Sequence, residues 1–140
     1  MSSTQLLTLL RNALCQAAQT GEYTHASAFL AAHSEALFDA CGPPVVAALL
    51  ATFPPQLFYE NCDLAYVDGL VYARTGQIQE AIKRLERARF SYITTGPQLA
   101  QAVRCSLELA RLYCSREEFQ TAYYHLRDQV QPWVDQGLVT

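Results

Sequence analysis

The residues of this chain with reactive side chains are three histidines, five cysteines and thirteen carboxylates, and their spacing restricts what they can do. His33-Ser34-Glu35 has the His-x-Glu order in which a histidine holds zinc while a glutamate moves protons. That chemistry also needs a downstream Pro-Cys-x-x-Cys. Cys41-Gly42-Pro43-Pro44 offers one cysteine, in the wrong order. His33 instead lies on an apolar helical stripe and reads as a core-edge histidine bonded to a backbone carbonyl or water. His25 and His125 are far apart, and neither belongs to a His-Glu-x-x-His pair; Asp128 follows His125 by three positions. No metal ligand set is therefore expected. Cys105 and Cys114 become nucleophiles only if a histidine meets one in space, and both otherwise fit periodic slots as structural thiols. Gly69 is a lone glycine where helices approach, with no glycine-rich phosphate loop around it. Tyr66, Tyr72, Tyr92, Tyr113, Tyr123 and Tyr124 follow helical spacing without interleaved basic residues, which suits packing between helices better than base stacking. The expectation is a chain with no catalytic residue, no metal and no cofactor, and not an enzyme.

Composition narrows the partner class. At 140 residues the chain is one domain in length. Apolar residues make up 51% and charged residues only 16%, too rich in core formers for disorder and poor enough in charge to leave apolar surface for a partner. A net charge of −3 lacks the basic stripe that phosphate backbones or acidic lipids demand, so neither nucleic acid nor membrane is expected as a ligand. Five cysteines with no Cys-x-x-Cys pair read as reduced core thiols. The N-terminus has no basic region ahead of its apolar run, which Arg11 interrupts, and so does not read as a signal peptide. The longest uncharged apolar run, Val45 to Phe53, is far short of the ~20 residues a bilayer needs. A soluble, cytoplasmic protein is the expectation.

The elements that must position these groups are helices. Leu6, Leu10, Ala13, Leu14 and Ala17 recur in steps of three and four, placing a helix over Thr4 to Gln19 that Thr20-Gly21 ends. Ala26, Phe29, Leu30, His33, Ala36, Leu37 and Ala40 extend the pattern through one helix from Tyr23 to Ala40. Cys41-Gly42-Pro43-Pro44 stops it. Val45 to Thr52 is a short helix or a loop plug before Pro54-Pro55. A long helix follows over Gln56 to Thr75, then another over Gln77 to Thr94, closed by Thr95-Gly96-Pro97. A third pair occupies Gln98 to Gln129. The tail, Val130 to Thr140, has Pro132 at a helix start and Trp133, Val134, Leu138 and Val139 apolar.

These elements repeat. Gly69, Tyr72, Gly76, Ile78, Ala81, Leu85 and Ala88 are spaced 3, 4, 2, 3, 4 and 3 apart. Ala110, Tyr113, Phe119, Ala122 and Leu126 answer Gly69, Tyr72, Ile78, Ala81 and Leu85 at an offset of 41. Gly21, Tyr23, Ala26 and Leu30 answer Gly76, Ile78, Ala81 and Leu85 at an offset of 55. Glu117 replaces the turn glycine, which predicts a looser turn there. The order of small, aromatic and aliphatic positions resembles the tetratricopeptide repeat, a helix–turn–helix unit of ~34 residues that packs on its neighbours. The longer offset is similar to the long-helix variants of bacterial signalling proteins. Asp68, Ala65, Ser106 and Gln129 depart from the family's preferred types.

The resemblance implies an all-α fold: a right-handed solenoid of about three hairpins plus a short C-terminal helix. It spans a single domain over 1–140, with units near 4–40, 55–96 and 97–129, an insert at 41–54 and a tail at 130–140. It implies a protein–protein interaction module whose concave face is lined by the first helix of each unit. On this chain that face would comprise Arg11, Asn12 and Cys15, then Asp63, Tyr66, Val67, Leu70 and Arg74, then Arg104, Leu107, Glu108 and Arg111. Its partner would be a peptide or another protein, acidic if the four arginines clamp a carboxylate. The same arginines could equally be solvated or paired with Glu108 and Asp63. Two rival readings stay open: a self-associating or regulatory segment of a larger protein, with a homodimer through Trp133, Val134 and Leu138, and a small-ligand or enzyme pocket between helices.

Overall fold

The computed structural model describes residues 2–95 and 98–137, all of whose regular elements are helices. The Gly96-Pro97 break and Leu138 and Val139 lie outside the described residues. Helix α1 (Ser3–Thr20) opens on Ser2, whose hydroxyl accepts from the Gln5 amide while the Gln5 side chain accepts from the Ser2 amide. This reciprocal cap satisfies two of the donors a helix start leaves open. Gly21, left-handed at φ 76°, closes it.

The single helix expected over Tyr23 to Ala40 is two, α2 (Thr24–Ala32) and α3 (Ser34–Cys41), broken at His33. The cause is Ser34. Its buried hydroxyl donates back to the Ala31 carbonyl at 3.0 Å, a local bond that competes with the helical ladder. The His33 ring meanwhile lies 4.5 Å from the Phe29 ring. Helix α4 (Pro43–Leu50) begins two residues earlier than the expected Val45, because proline in the first turn gives up an amide that has no helical partner there. The insert is therefore core. Val46, Leu49, Leu50 and Phe53 are buried, each worth about 1.5–3 kcal/mol relative to exposure.

The long helix expected over Gln56 to Thr75 is also divided. Helix α5 (Leu57–Glu60) ends at Asn61, whose backbone is extended, and α6 (Cys62–Arg74) starts there. Asn61 accepts from the Leu64 amide at 3.1 Å and donates to the Ser27 hydroxyl at 2.9 Å, so one side chain caps α6 and ties it to α2. Helices α7 (Ile78–Thr94), α8 (Leu99–Ser115), α9 (Phe119–Gln129) and α10 (Gln131–Asp135) complete the chain.

Packing runs in sequence order: α6 lies on α7, α7 on α8, α8 on α9, and α10 on α9, while α2, α4 and α5 cover α6 and α1 covers α2 and α3. Gly69 is where α6 and α7 come closest. A Cβ there would stand 2.8 Å from Leu85 Cγ, so only glycine fits with Leu85 in place. Leu64, Val67, Leu70, Ala81, Leu85, Ala88, Tyr92, Cys105 and Leu109 form the centre of the core. No described helix is long and apolar enough to cross a membrane.

The turns of the last two hairpins are the same turn. In the first, the Gln77 amide donates to the Tyr72 carbonyl at 2.9 Å; in the second, Glu118 donates to Tyr113 at 2.8 Å. Glu117 takes φ 61° where Gly76 takes φ 82°. The turn expected to loosen at Glu117 keeps its geometry, with a side chain held in the left-handed region.

Candidate partner-binding groove

A pocket of about 330 Å³ opens between α3, α6 and α8, lined by Ala32, Ser34 and Glu35 on one side, Tyr66 beneath, and Arg104, Leu107, Glu108 and Arg111 on the other. Each wall follows from helix geometry. Arg104, Leu107, Glu108 and Arg111 are three or four apart on α8 and share one face, while Cys105 and Leu109 turn into the core. Tyr66 sits at the centre of α6, 3% exposed, its ring edge-on to Tyr92 at 6.5 Å. Burial pushes its phenol well above the usual range, so it stays protonated. Among the described residues its hydroxyl makes no hydrogen bond.

The charged groups divide by enclosure. The Glu108 side chain is 13% exposed and pairs at 3.3 Å with Arg111, which is 71% exposed. Burial raises the Glu108 pKa, Arg111 and Arg74 oppose that rise, and Glu35 adds to it. Arg104 is exposed and donates to Gln101 on its own helix at 3.3 Å. Arg74 donates to Glu35 at 2.7 Å and lies 4.9 Å over the Phe38 ring, joining α6 to α3. Burial works against its charge, but the Glu35 hydrogen bond holds its pKa above the ordinary arginine range.

Of the residues assigned to the concave face, Tyr66, Arg104, Leu107, Glu108 and Arg111 come together in this pocket. Leu70 does not belong to it. It is fully buried, as is Val67, because both positions on α6 point into the α7 contact and the core. Asp63 is engaged elsewhere, accepting a short hydrogen bond from the Tyr92 hydroxyl. Arg11, Asn12 and Cys15 are exposed on α1 and do not line the pocket. Their place is taken by Ala32, Ser34 and Glu35, which periodicity missed because the break at His33 is what brings α3 to this side. The signal available was Ser34 itself, a hydroxyl that bonds backward in a helix. A larger open depression of about 490 Å³ lies over Thr4, Gln5, Thr8 and Leu9, with no charged side chain among the described residues that line it.

A second polar cluster ties α7, α8 and α9. His125, buried on α9, donates from Nε2 to Glu86 at 3.1 Å, and the Tyr113 hydroxyl donates to the same carboxylate oxygen at 3.2 Å. The Tyr113 and His125 rings stack at 5.5 Å. Both bonds hold Glu86 below the usual carboxylate range, the one from His125 foremost. The His125 position answers Arg84, which lies 5.1 Å over Tyr72, so both hairpins place a nitrogen-bearing plane on the equivalent tyrosine. At the C-terminus Arg89 lies 5.9 Å over Trp133, also reaches Gln129, and donates to Ser106 at 2.7 Å. Trp133 is thus half-buried against the core, Val134 is exposed, and Leu138 lies outside the described residues. Burial pushes the Cys105 thiol far above its ordinary value, away from nucleophilic reactivity. Among the described residues no group of three histidines, cysteines or carboxylates is placed to hold a metal ion.

Among the described residues the protein is all-helical, and from α5 onward each helix packs on the next. Comparison of the chain with protein-family models, with curated proteins and with solved structures finds no match.

Proposed function

We propose that the chain is a non-enzymatic protein–protein interaction module, a tetratricopeptide-like solenoid of about three hairpins that captures a peptide or partner segment in the groove between α3, α6 and α8. The observation that carries this reading is the groove floor, where Tyr66, a largely buried residue, lines the pocket with a hydroxyl that bonds to no other described residue and is open to a guest. Leu107, 46% exposed beside it, offers an apolar contact. The α3 wall is tied to α6 by the Glu35–Arg74 bond and α6 to α2 by Asn61–Ser27, which lowers the ordering needed on that side of the site. An extended peptide selected on the wild-type chain should lose at least tenfold affinity for Leu107→Glu with helicity unchanged, as expected for a central contact. Equal affinity removes the groove as the site.

A second reading is self-association through the C-terminal end. Leu126 is 42% exposed although its counterpart Leu85 is fully buried, and Phe119, Tyr123 and Val134 are exposed near it. A second copy covering this stripe would give Leu126 the burial Leu85 has. Sedimentation across a hundredfold concentration range separates the two readings, because a strict monomer excludes this one.

A further inference from the structure

The arginines around the groove suggest an acidic guest, but the enclosed charge is of the opposite sign. Arg104 and Arg111 are exposed, and Arg74 is already held by Glu35. Water serves two of these guanidinium groups well, and exposed pairs of this kind contribute little. Glu108 is different. Its carboxylate is largely shielded, its sole ion-pair partner among the described residues is the solvent-facing Arg111, and it shares the pocket with the unbonded Tyr66 hydroxyl. A carboxylate guest drawn to Arg111 would compete for the nearest counter-ion of Glu108, leaving only Arg74, already paired with Glu35, and would place a second negative charge beside it. That arrangement leaves a shielded charge without its ion pair, a costly outcome for a largely enclosed carboxylate.

We infer that the partner enters this pocket with a basic side chain, a lysine or arginine, which takes the place of Arg111 beside Glu108 and donates to the Tyr66 hydroxyl. Displacing Arg111 returns a solvated guanidinium to water. The guest supplies the enclosed pair that Glu108 lacks, and its aliphatic stem lies along Leu107 and Ala32. The enclosure of the Glu108 side chain, 13% exposed, favours a guest that brings positive charge, and the Tyr66 hydroxyl in the same pocket, bonded to no described residue, is open to accept from it. The inference rests on the groove being a peptide site.

The test is selection of a random decapeptide display library on the full chain, followed by affinity measurement of synthetic winners. The winners should share a lysine or arginine at one position. Replacing it by norleucine or citrulline should weaken binding about tenfold or more, a change made in the peptide that leaves the protein intact. Glu108→Gln should weaken the basic peptides by a similar factor, Tyr66→Phe by less, and Arg111→Gln should not weaken them. Winners rich in aspartate or glutamate, or basic winners indifferent to both norleucine and Glu108→Gln, overturn the inference while leaving the peptide groove standing. A library that yields no binder above blank resin overturns the groove and the inference together.

Discussion

Glu117 holds at φ 61° the turn that Gly76 holds at φ 82° one repeat earlier, with matching backbone bonds from Glu118 to Tyr113 and from Gln77 to Tyr72. A β-carbon in the left-handed region costs about 1–2 kcal/mol, so the later hairpin stores strain that the earlier one avoids. Glu117→Gly should stabilise the chain by about 0.5–1 kcal/mol, while Gly76→Ala should destabilise it by a similar amount. Urea unfolding of the two variants checks the pair, and a neutral Glu117→Gly would mean the turn relaxes at no cost.

Gly69→Ala tests the closest helix approach. The added carbon meets Leu85 Cγ at 2.8 Å and Arg84 Cβ at 3.3 Å, so Leu85 must leave its place between α6 and α7. Overpacking of this sort costs about 1–3 kcal/mol, against a gain of about 1 kcal/mol in helix propensity, and net destabilisation is expected. Ala110 stands at the equivalent position in the next hairpin, where the residue answering Leu85, Leu126, is 42% exposed instead of fully buried.

These two positions also show what could be read from the chain before folding. The offset of 41, the turn at Gly76 and the close approach at Gly69 are legible because the same small, aromatic and aliphatic residue types recur in order along the chain. The breaks at His33 and Asn61 were not. Both arise from single side chains, Ser34 bonding back to Ala31 and Asn61 capping Leu64, that leave the apolar period untouched. The same holds for one wall of the groove. Its α3 wall exists only because of the Ser34 break, and Leu70 and Tyr66, both apolar-faced positions of α6, differ by a rotation that periodicity does not resolve.

Acid sensitivity should report on Glu86. Its folded pKa lies below the unfolded value, so it contributes stability that is present above the unfolded value of about 4.5 and is lost as pH falls through the lowered one. Urea midpoints for wild type and Glu86→Gln should therefore differ at pH 6 and converge toward pH 3. A constant gap across that range would mean that the bond from His125 does not depend on the carboxylate charge.

Glu108 runs the opposite way. Its folded pKa is raised, so the folded state is favoured with the group neutral, fully so below the unfolded value, and the advantage is lost as pH rises through the folded value. Glu108→Gln should be more stable than wild type at pH 7 and level with it near pH 3, even as it weakens capture of basic peptides. Stability gained where binding is lost is the mark of a carboxylate kept for a partner.

Tyr92→Phe removes the hydroxyl that donates to Asp63 inside the α6–α7 contact. Losing a hydrogen bond to a charged group costs about 1.5–3 kcal/mol, and thermal unfolding should show it while peptide affinity stays the same. A loss of affinity at unchanged stability would relocate the site to Asp63.

The groove itself is tested most directly by amide chemical-shift mapping of the full chain titrated with a selected peptide. Saturable shifts should concentrate at Glu35, Tyr66, Leu107 and Glu108, with Phe119, Tyr123 and Val134 unmoved. Shifts confined to α9 and α10, with the α3–α6–α8 surface silent, would contradict the account.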